Sequence, residues 1–473
     1  MTFLQKLSTF LVITLFSIVL VLEVVVQPEY DYADFPYFDH NSVALFISVF
    51  AVVVITGFIM LIGNKLSWNS FMPLAFYLLV SVAVLLLVPM IPVSDQGTVY
   101  EIAANDYADP NEYMNYNSNV IPSIIYTHFV LSVLGKSIWA PKAVNVLCGF
   151  LSLVLMARIY GLISGKKEVS SEKDDEFFSV SERKMLWLGA IFLPVFLYNN
   201  HIYNEVPAVT LSLLTIYLVI KDNQPILFRA ITVVVSCLQF VLRQSGIIIV
   251  IAATLYIFFY LKHKRYAIVY FVSIIAGYLL LVKCGDAVLG VDTSQSYPIW
   301  SFIKMGVNDT EFGFQDNTHA PDVTLRDCLD RYREYGLIKV LTIYLKKTYW
   351  VWGEGTFMAG RYGYGWLQNK YLYETFVTKA IFGIPEPKFR IITKIIMRAQ
   401  YLFYMFLAVV GTVKARKNNR FSILFFIVCG FLCFYILWEI KSRYLYGVYP
   451  IFLIMAMYGW DNLPHRLKAS DNV

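Results

Sequence analysis

Long apolar runs separated by short polar connections dominate this chain. They fall near residues 7–26, 43–62, 71–90, 138–163, 185–200, 206–220, 226–242, 246–261, 265–283, 391–412, 421–438 and 444–460. Helices of this length and composition can cross about 30 Å of hydrocarbon with every backbone polar group satisfied internally. The pattern predicts an all-α polytopic membrane protein with about twelve transmembrane helices. Two other apolar stretches read differently. Residues 120–134, VIPSIIYTHFVLSVL, are short, contain Pro122 and His128, and would invert every later connection if they crossed. Residues 336–352, GLIKVLTIYLKKTYWVW, carry Lys346 and Lys347 at their centre and end in aromatic residues suited to an interface. Both are expected to be external juxtamembrane helices, lying in the membrane plane or dipping into it.

Composition agrees. Of 473 residues 58% are hydrophobic and 15% charged, against roughly 25% charged in an average soluble domain, and the mean hydropathy is +0.59. A scattered net charge of +6 gives no basic patch for nucleic acid. Its distribution is more informative. Lys65, Lys166 and Lys167 with Arg183 and Lys184, Lys221, the run 262–265, the run 414–417 with Arg420, and Arg466 with Lys468 occupy alternate connections. By the positive-inside rule both termini are cytoplasmic. The first run follows Lys6 and lacks a small-residue cleavage pattern, so an uncleaved first span is expected. Six cysteines show no metal-ligand spacing; Cys284 and Cys328 either pair or remain free.

With this topology the unusual residues gather outside. Residues 91–119 hold five acids (Asp95, Glu101, Asp106, Asp109, Glu112) and four tyrosines, with no lysine or arginine. Further external connections are 198–205, the Arg243-Gln244 turn, a long region from about 284 to 390, and 439–443. Three units follow: a transmembrane module 1–283 carrying the external loop 91–137, an external region 284–390 covering the site, and C-terminal transmembrane helices 391–473. The 164–184 connection reads as a flexible cytoplasmic linker.

Sugar transfer from a lipid phosphate needs a carboxylate to take a proton from the attacking hydroxyl, and cations for the phosphate. Asp95 is the candidate base and Glu205 the second catalytic acid. Arg243, Lys441 and Arg443 are the candidate phosphate ligands, and Tyr100, Glu101, Tyr203 and Glu439 candidate substrate contacts. Each has a plainer reading. Ser94 or Asp95 fits a helix cap, Glu205 a solvated loop acid, and Arg243 a residue reaching for the interface. Lys441 and Arg443 fit local partners of Glu439, and His128 and His201 fit ordinary interfacial histidines.

Several short motifs carry a family likeness. An apolar span leads into P-x-S-D-Q at 92–96, with Tyr100 and Ala103 following, then a Pro-containing segment ending in Leu134-Gly135. The turn 199–207, NNHIYNEVP, places an acid before a span. Glu439-Ile440-Lys441-Ser442-Arg443-Tyr444 is followed by Pro450, and Ile303-Lys304-Met305-Gly306-Val307-Asn308 by Gly313 and Asp316. Together they resemble the GT-C superfamily of lipid-phosphate-sugar-dependent glycosyltransferases, which includes protein O-mannosyltransferases and the bacterial aminoarabinose transferase. The resemblance implies a GT-C-like fold and inverting transfer of a sugar from a polyprenyl-phosphate (undecaprenyl-phosphate) donor. The acceptor would be a surface polysaccharide or teichoic-acid-like polymer, outside a bacterial, Gram-positive plasma membrane. Asp95 matches the acid of the first external loop and Glu205 that of the second. Neither a metal nor another cofactor is expected. Alternatives are a flippase for lipid-linked sugars and a polymerase or ligase of lipid-linked glycans.

Overall fold

The computed structural model describes residues 2–30, 36–40, 42–65, 71–165, 177–221, 225–314, 320–359, 371–382 and 388–463. Lys166, Lys167, Asp316, Arg466, Lys468, most of the 164–184 linker and the 360–370 part of the long external region lie outside the described residues.

The apolar runs fold as helices, giving an all-α polytopic membrane protein. Among the described residues six helices are long and apolar enough to cross a membrane: Phe3–Glu23, Val43–Met60 within Ser42–Lys65, Trp139–Ser164, Lys264–Leu289, Ile391–Ala415 and Asn419–Leu437. Four shorter apolar helices, Met72–Leu87, Glu205–Ile220, Ile226–Leu242 and Gln244–Phe259, occupy other expected spans. Two of the twelve runs are not single α-helices. The 185–200 run breaks between Val180–Ala190 and Leu193–Tyr198, because Pro194 has no amide hydrogen to continue the ladder. The 444–460 run begins as a 3-10 segment, Ser442–Val448, before the α-helix Tyr449–Asp461.

The tightest helix pairing is Lys388–Ala415 against Tyr449–Asp461, and glycine makes it possible. A Cβ on Gly459 would sit 1.9 Å from the Leu407 carbonyl oxygen, and one on Gly411 would sit 2.1 Å from that of Met455.

Ile121–Leu134 is a 14-residue helix, about 21 Å long, and shares a small apolar core with Asp95–Ala104. The 336–352 stretch is the second half of a longer helix, Leu325–Gly353. That helix opens with a Thr324/Asp327 capping box and bends at Gly336 (φ 68°, ψ 165°). Beyond the bend it exposes Leu337, Ile338, Leu341 and Leu345 and buries Lys347 and Trp350. The divisions at 283/284 and 390/391 fall inside the helices Lys264–Leu289 and Lys388–Ala415. All six cysteines are free thiols.

One element has no forerunner in the apolar pattern. Gln27–Tyr30 pairs antiparallel with Pro36–Asp39 as a small hairpin. It delivers Glu29 to the interior, where the two carboxylate oxygens meet Arg398 (2.7 Å) and Lys394 (2.6 Å). Arg398 also donates to the carbonyls of Pro28 and Glu354. The Glu354 carboxylate accepts from the amides of Thr356 and Met358 and from Ser442 Oγ (2.7 Å).

Candidate functional site

After the helix Met72–Leu87 the chain runs without helical structure to Ser94, which has φ 54° and ψ −143°. Such a conformation costs an L-residue about 1–3 kcal/mol, and it directly precedes Asp95. The next helix, Asp95–Ala104, receives no side-chain cap from Ser94. Asp95 begins that helix with 44% of its side chain exposed. Its Oδ1 accepts from the Tyr113 hydroxyl (3.2 Å), and its Oδ2 lies 3.7 Å from Arg443 Nη2. Burial, and then the Asp95 charge beside it, pushes the Tyr113 phenol well above its ordinary value. The phenol therefore remains a donor to Asp95 at any working pH.

Asp95, Tyr203, Arg243, Glu439 and Arg443 line one cavity of about 350 Å³. Four separate stretches of sequence supply them. Between them stand the neutral polar groups of Tyr113, Asn117, Asn119, Asn204, Gln244, Ser245 and Tyr435, while Phe302, Phe434 and Trp438 give an apolar side. Phe302 and Trp438 stack at 5.1 Å, and so do Phe434 and Trp438.

The Arg243 guanidinium terminates the helix Ile226–Leu242 and does not reach for an interface. It is held by Glu205 Oε1 (2.8 Å) and Asn204 Oδ1 (3.3 Å) and lies 5.8 Å from the Tyr444 ring. Glu205 is 1% exposed, so the solvated-acid reading fails. It starts the helix Glu205–Ile220, where its negative charge suits the helix dipole. His201 is equally buried, its Nε2 being 3.1 Å from Glu205 Oε2, a contact that requires the proton on Nε2. Glu205 thus sits behind the cavity wall as an anchor for Arg243, and lines only a small adjoining void with it.

Arg443 presents its guanidinium to Asp95, 6.0 Å from the Tyr203 ring and 5.5 Å from that of Tyr444. Glu439 is buried and accepts from the Tyr444 hydroxyl. The remaining candidates lie elsewhere. Lys441 is buried 5.6 Å from the Phe314 ring and does not line the cavity; the backbone turns from extended at Lys441 into the 3-10 segment Ser442–Val448, so Lys441 and Arg443 part although they lie two residues apart. Tyr100 packs on the small core below the Asp95 helix and Glu101 points to solvent. Among the described residues, no three His, Cys, Asp or Glu side chains gather as a metal site.

No family model and no curated protein matches this chain. Among solved structures it is similar to the archaeal oligosaccharyltransferase AglB from Archaeoglobus fulgidus, in complex with an inhibitory peptide and a dolichol-phosphate. The two are 10% identical with a TM-score of 0.44, over 84% of this chain and 50% of that one. This chain therefore spans about half the length of that protein.

Other residues of the site carry little sequence signal. Tyr113 is one of four tyrosines in its loop, and only the fold brings it to Asp95. Gln96, which is buried, accepts from the Ile202 amide through Oε1 (3.1 Å) and so ties the Asp95 helix to the 199–204 turn. Lys142 is fully buried and donates to the Met90 carbonyl (2.5 Å) and Asn200 Oδ1 (3.0 Å). A lysine inside an apolar run is a legible signal, since such a charge is costly unless used.

Proposed function

We propose that this protein is an inverting glycosyltransferase that takes a sugar from a polyprenyl-phosphate donor at the external face of a bacterial plasma membrane and passes it to a hydroxyl of a surface glycopolymer. The observation that carries the reading is the single cavity where Asp95, partly open to solvent, faces two arginines drawn from distant segments. In the proposed step the acceptor oxygen attacks the anomeric carbon while Asp95 takes its proton. The bond from that carbon to the phosphate oxygen breaks, and the electron pair leaves with the polyprenyl phosphate. Arg443 moves from Asp95 to the phosphate oxygens, whose growing charge it stabilises, and Arg243, anchored by Glu205, supplies the second cation. Tyr203 and Glu439 contact the sugar. A group placed as Asp95 is contributes about 10²–10⁴-fold as a general base.

The test is transfer of radiolabelled sugar by the purified protein from a panel of synthetic polyprenyl-phosphate and polyprenyl-diphosphate sugars. Turnover with a monophosphate donor supports the proposal. Turnover with diphosphate donors alone favours a glycan polymerase or ligase. Absent turnover, with donor movement between leaflets in proteoliposomes, replaces the proposal with a flippase.

A further inference from the structure

Two buried lysines that do not line the cavity share one pattern of ligands. Lys142, in the helix Trp139–Ser164, gives its ammonium to the Met90 carbonyl (2.5 Å) and to Asn200 Oδ1 (3.0 Å), with the Trp139 ring 5.1 Å away. Lys347, in the helix Leu325–Gly353, gives its own to the carbonyls of Gly306 (2.6 Å) and Trp438 (3.0 Å), with the Tyr344 ring 5.0 Å away. Both side chains are fully buried. Met90 lies five residues ahead of Asp95, and Trp438 five ahead of Arg443. Each ammonium therefore ties the main chain leading into one member of the Asp95–Arg443 pair to a second, separate loop.

The chemistry explains why lysine stands at both places. An ammonium carries three donors and no acceptor, so one group satisfies two oxygens from different segments and turns a third hydrogen to a ring face. A neutral amide has two donors rather than three and brings an acceptor oxygen that the apolar surroundings leave unsatisfied. Burial disfavours both charges, offset at Lys347 in part by the Glu439 carboxylate. An apolar residue would fill either space without that penalty. The Lys347 platform is built with equal exactness. A Cβ on Gly306 would sit 2.4 Å from the Leu437 carbonyl oxygen, and Gly313 (φ +80°) accepts from the Ile440 amide (2.9 Å). The Met305-Gly306-Val307-Asn308…Gly313 segment thereby braces the extended residues 438–441 that lead into Arg443.

We infer that Lys142 and Lys347 are the positioning residues of this site, fixing the separation of Asp95 from Arg443 by clamping the chain ahead of each. The inference rests on the glycosyltransferase reading for its catalytic consequence, though the clamp itself is a property of the fold. At 3.7 Å the guanidinium can pass from Asp95 to a phosphate oxygen with little movement, and a displacement of about 1 Å can lower a rate about 10²-fold.

The experiment compares Lys142→Gln and Lys347→Gln with wild type, measuring kcat and donor KM on the productive donor and hydrogen exchange over 91–97 and 438–443. The expected result is kcat per folded molecule lowered about 10-fold or more with donor KM within about threefold. Faster exchange should be confined to 91–97 in the first variant and to 438–443 in the second. Wild-type kcat and exchange with only a lower Tm overturns the inference, since that is what space-filling alone gives. If Lys142→Gln does not fold, Asn200→Leu removes one ligand and leaves the charge. It should loosen 91–97 and lower kcat, and wild-type values in both overturn the clamp. Loosened exchange in a protein whose wild type transfers no sugar overturns the catalytic role and the proposed function while leaving the clamp standing.

Discussion

Two clusters of charge sit side by side in this protein, and they are built in opposite ways. Around Glu29 the carboxylate is held by Arg398 and Lys394 at 2.6–2.7 Å, and all three side chains are buried. Burial alone would raise the Glu29 carboxyl, but Arg398 and Lys394 outweigh it and hold the group below its ordinary 4.5. Around Asp95 the carboxylate is 44% exposed, its arginine stands off at 3.7 Å, and both face a cavity. One cluster is closed, and the other keeps a gap, which the proposed function gives to a phosphate and a hydroxyl. The two meet at Ser442 and Arg443. Ser442 turns its hydroxyl to Glu354 of the closed cluster while the next side chain enters the open one. A carboxylate–arginine pair is therefore no mark of function in itself; exposure, separation and adjoining space distinguish the pair proposed to act from the architectural one.

The sharpest way to break the comparison is Glu29→Gln. It leaves Lys394 buried without its carboxylate and takes from Arg398 its strongest counter-charge, with Glu23 and Glu354 remaining beside it, and should destabilise the protein by about 3–5 kcal/mol. Transfer per folded molecule should persist, as thermal unfolding and an active-site-normalised rate would reveal. Next in size is Arg443→Lys, which keeps the charge and loses the fork; donor KM should rise about 10-fold or more. A change in acceptor KM alone would remove Arg443 from the donor phosphate. A smaller effect concerns pH. Because the folded Glu29 carboxyl lies below its ordinary 4.5, its contribution is present above that value and fades as pH falls through the folded one. Acid melting curves of wild type should therefore fall below about pH 4.5, and those of Glu29→Gln should be flatter there. Smallest is Lys136→Ala at the exposed Asp106 pair (2.8 Å). Solvent screens an exposed pair of this kind, so neither Tm nor transfer should move appreciably.

The comparison also explains what could be read beforehand. The spans were legible because hydrocarbon demands long apolar runs, and Asp95 and Arg443 because charge at a span end is conspicuous. Their meeting in one cavity with Tyr203, Arg243 and Glu439 followed from loops facing one side. What stayed hidden depends on direction at single residues. Lys441 and Arg443 lie two apart, yet one packs under Phe314 and the other reaches Asp95, because the extended strand gives way to a 3-10 turn at Ser442. Glu205 reads as a loop acid until His201 and Arg243 are seen closing on it. The hairpin that carries Glu29 was invisible because Gln27–Tyr30 holds only four residues, one of them proline, too few for a strand pattern.

The most direct test of the account is the transfer rate of Asp95→Asn beside wild type on the same labelled donor, with thermal unfolding of both. The account predicts transfer lowered at least about 10²-fold at an unchanged Tm, because the substituted side chain keeps its size and stands at an open wall. Transfer at the wild-type rate would contradict it and take Asp95 out of the chemistry.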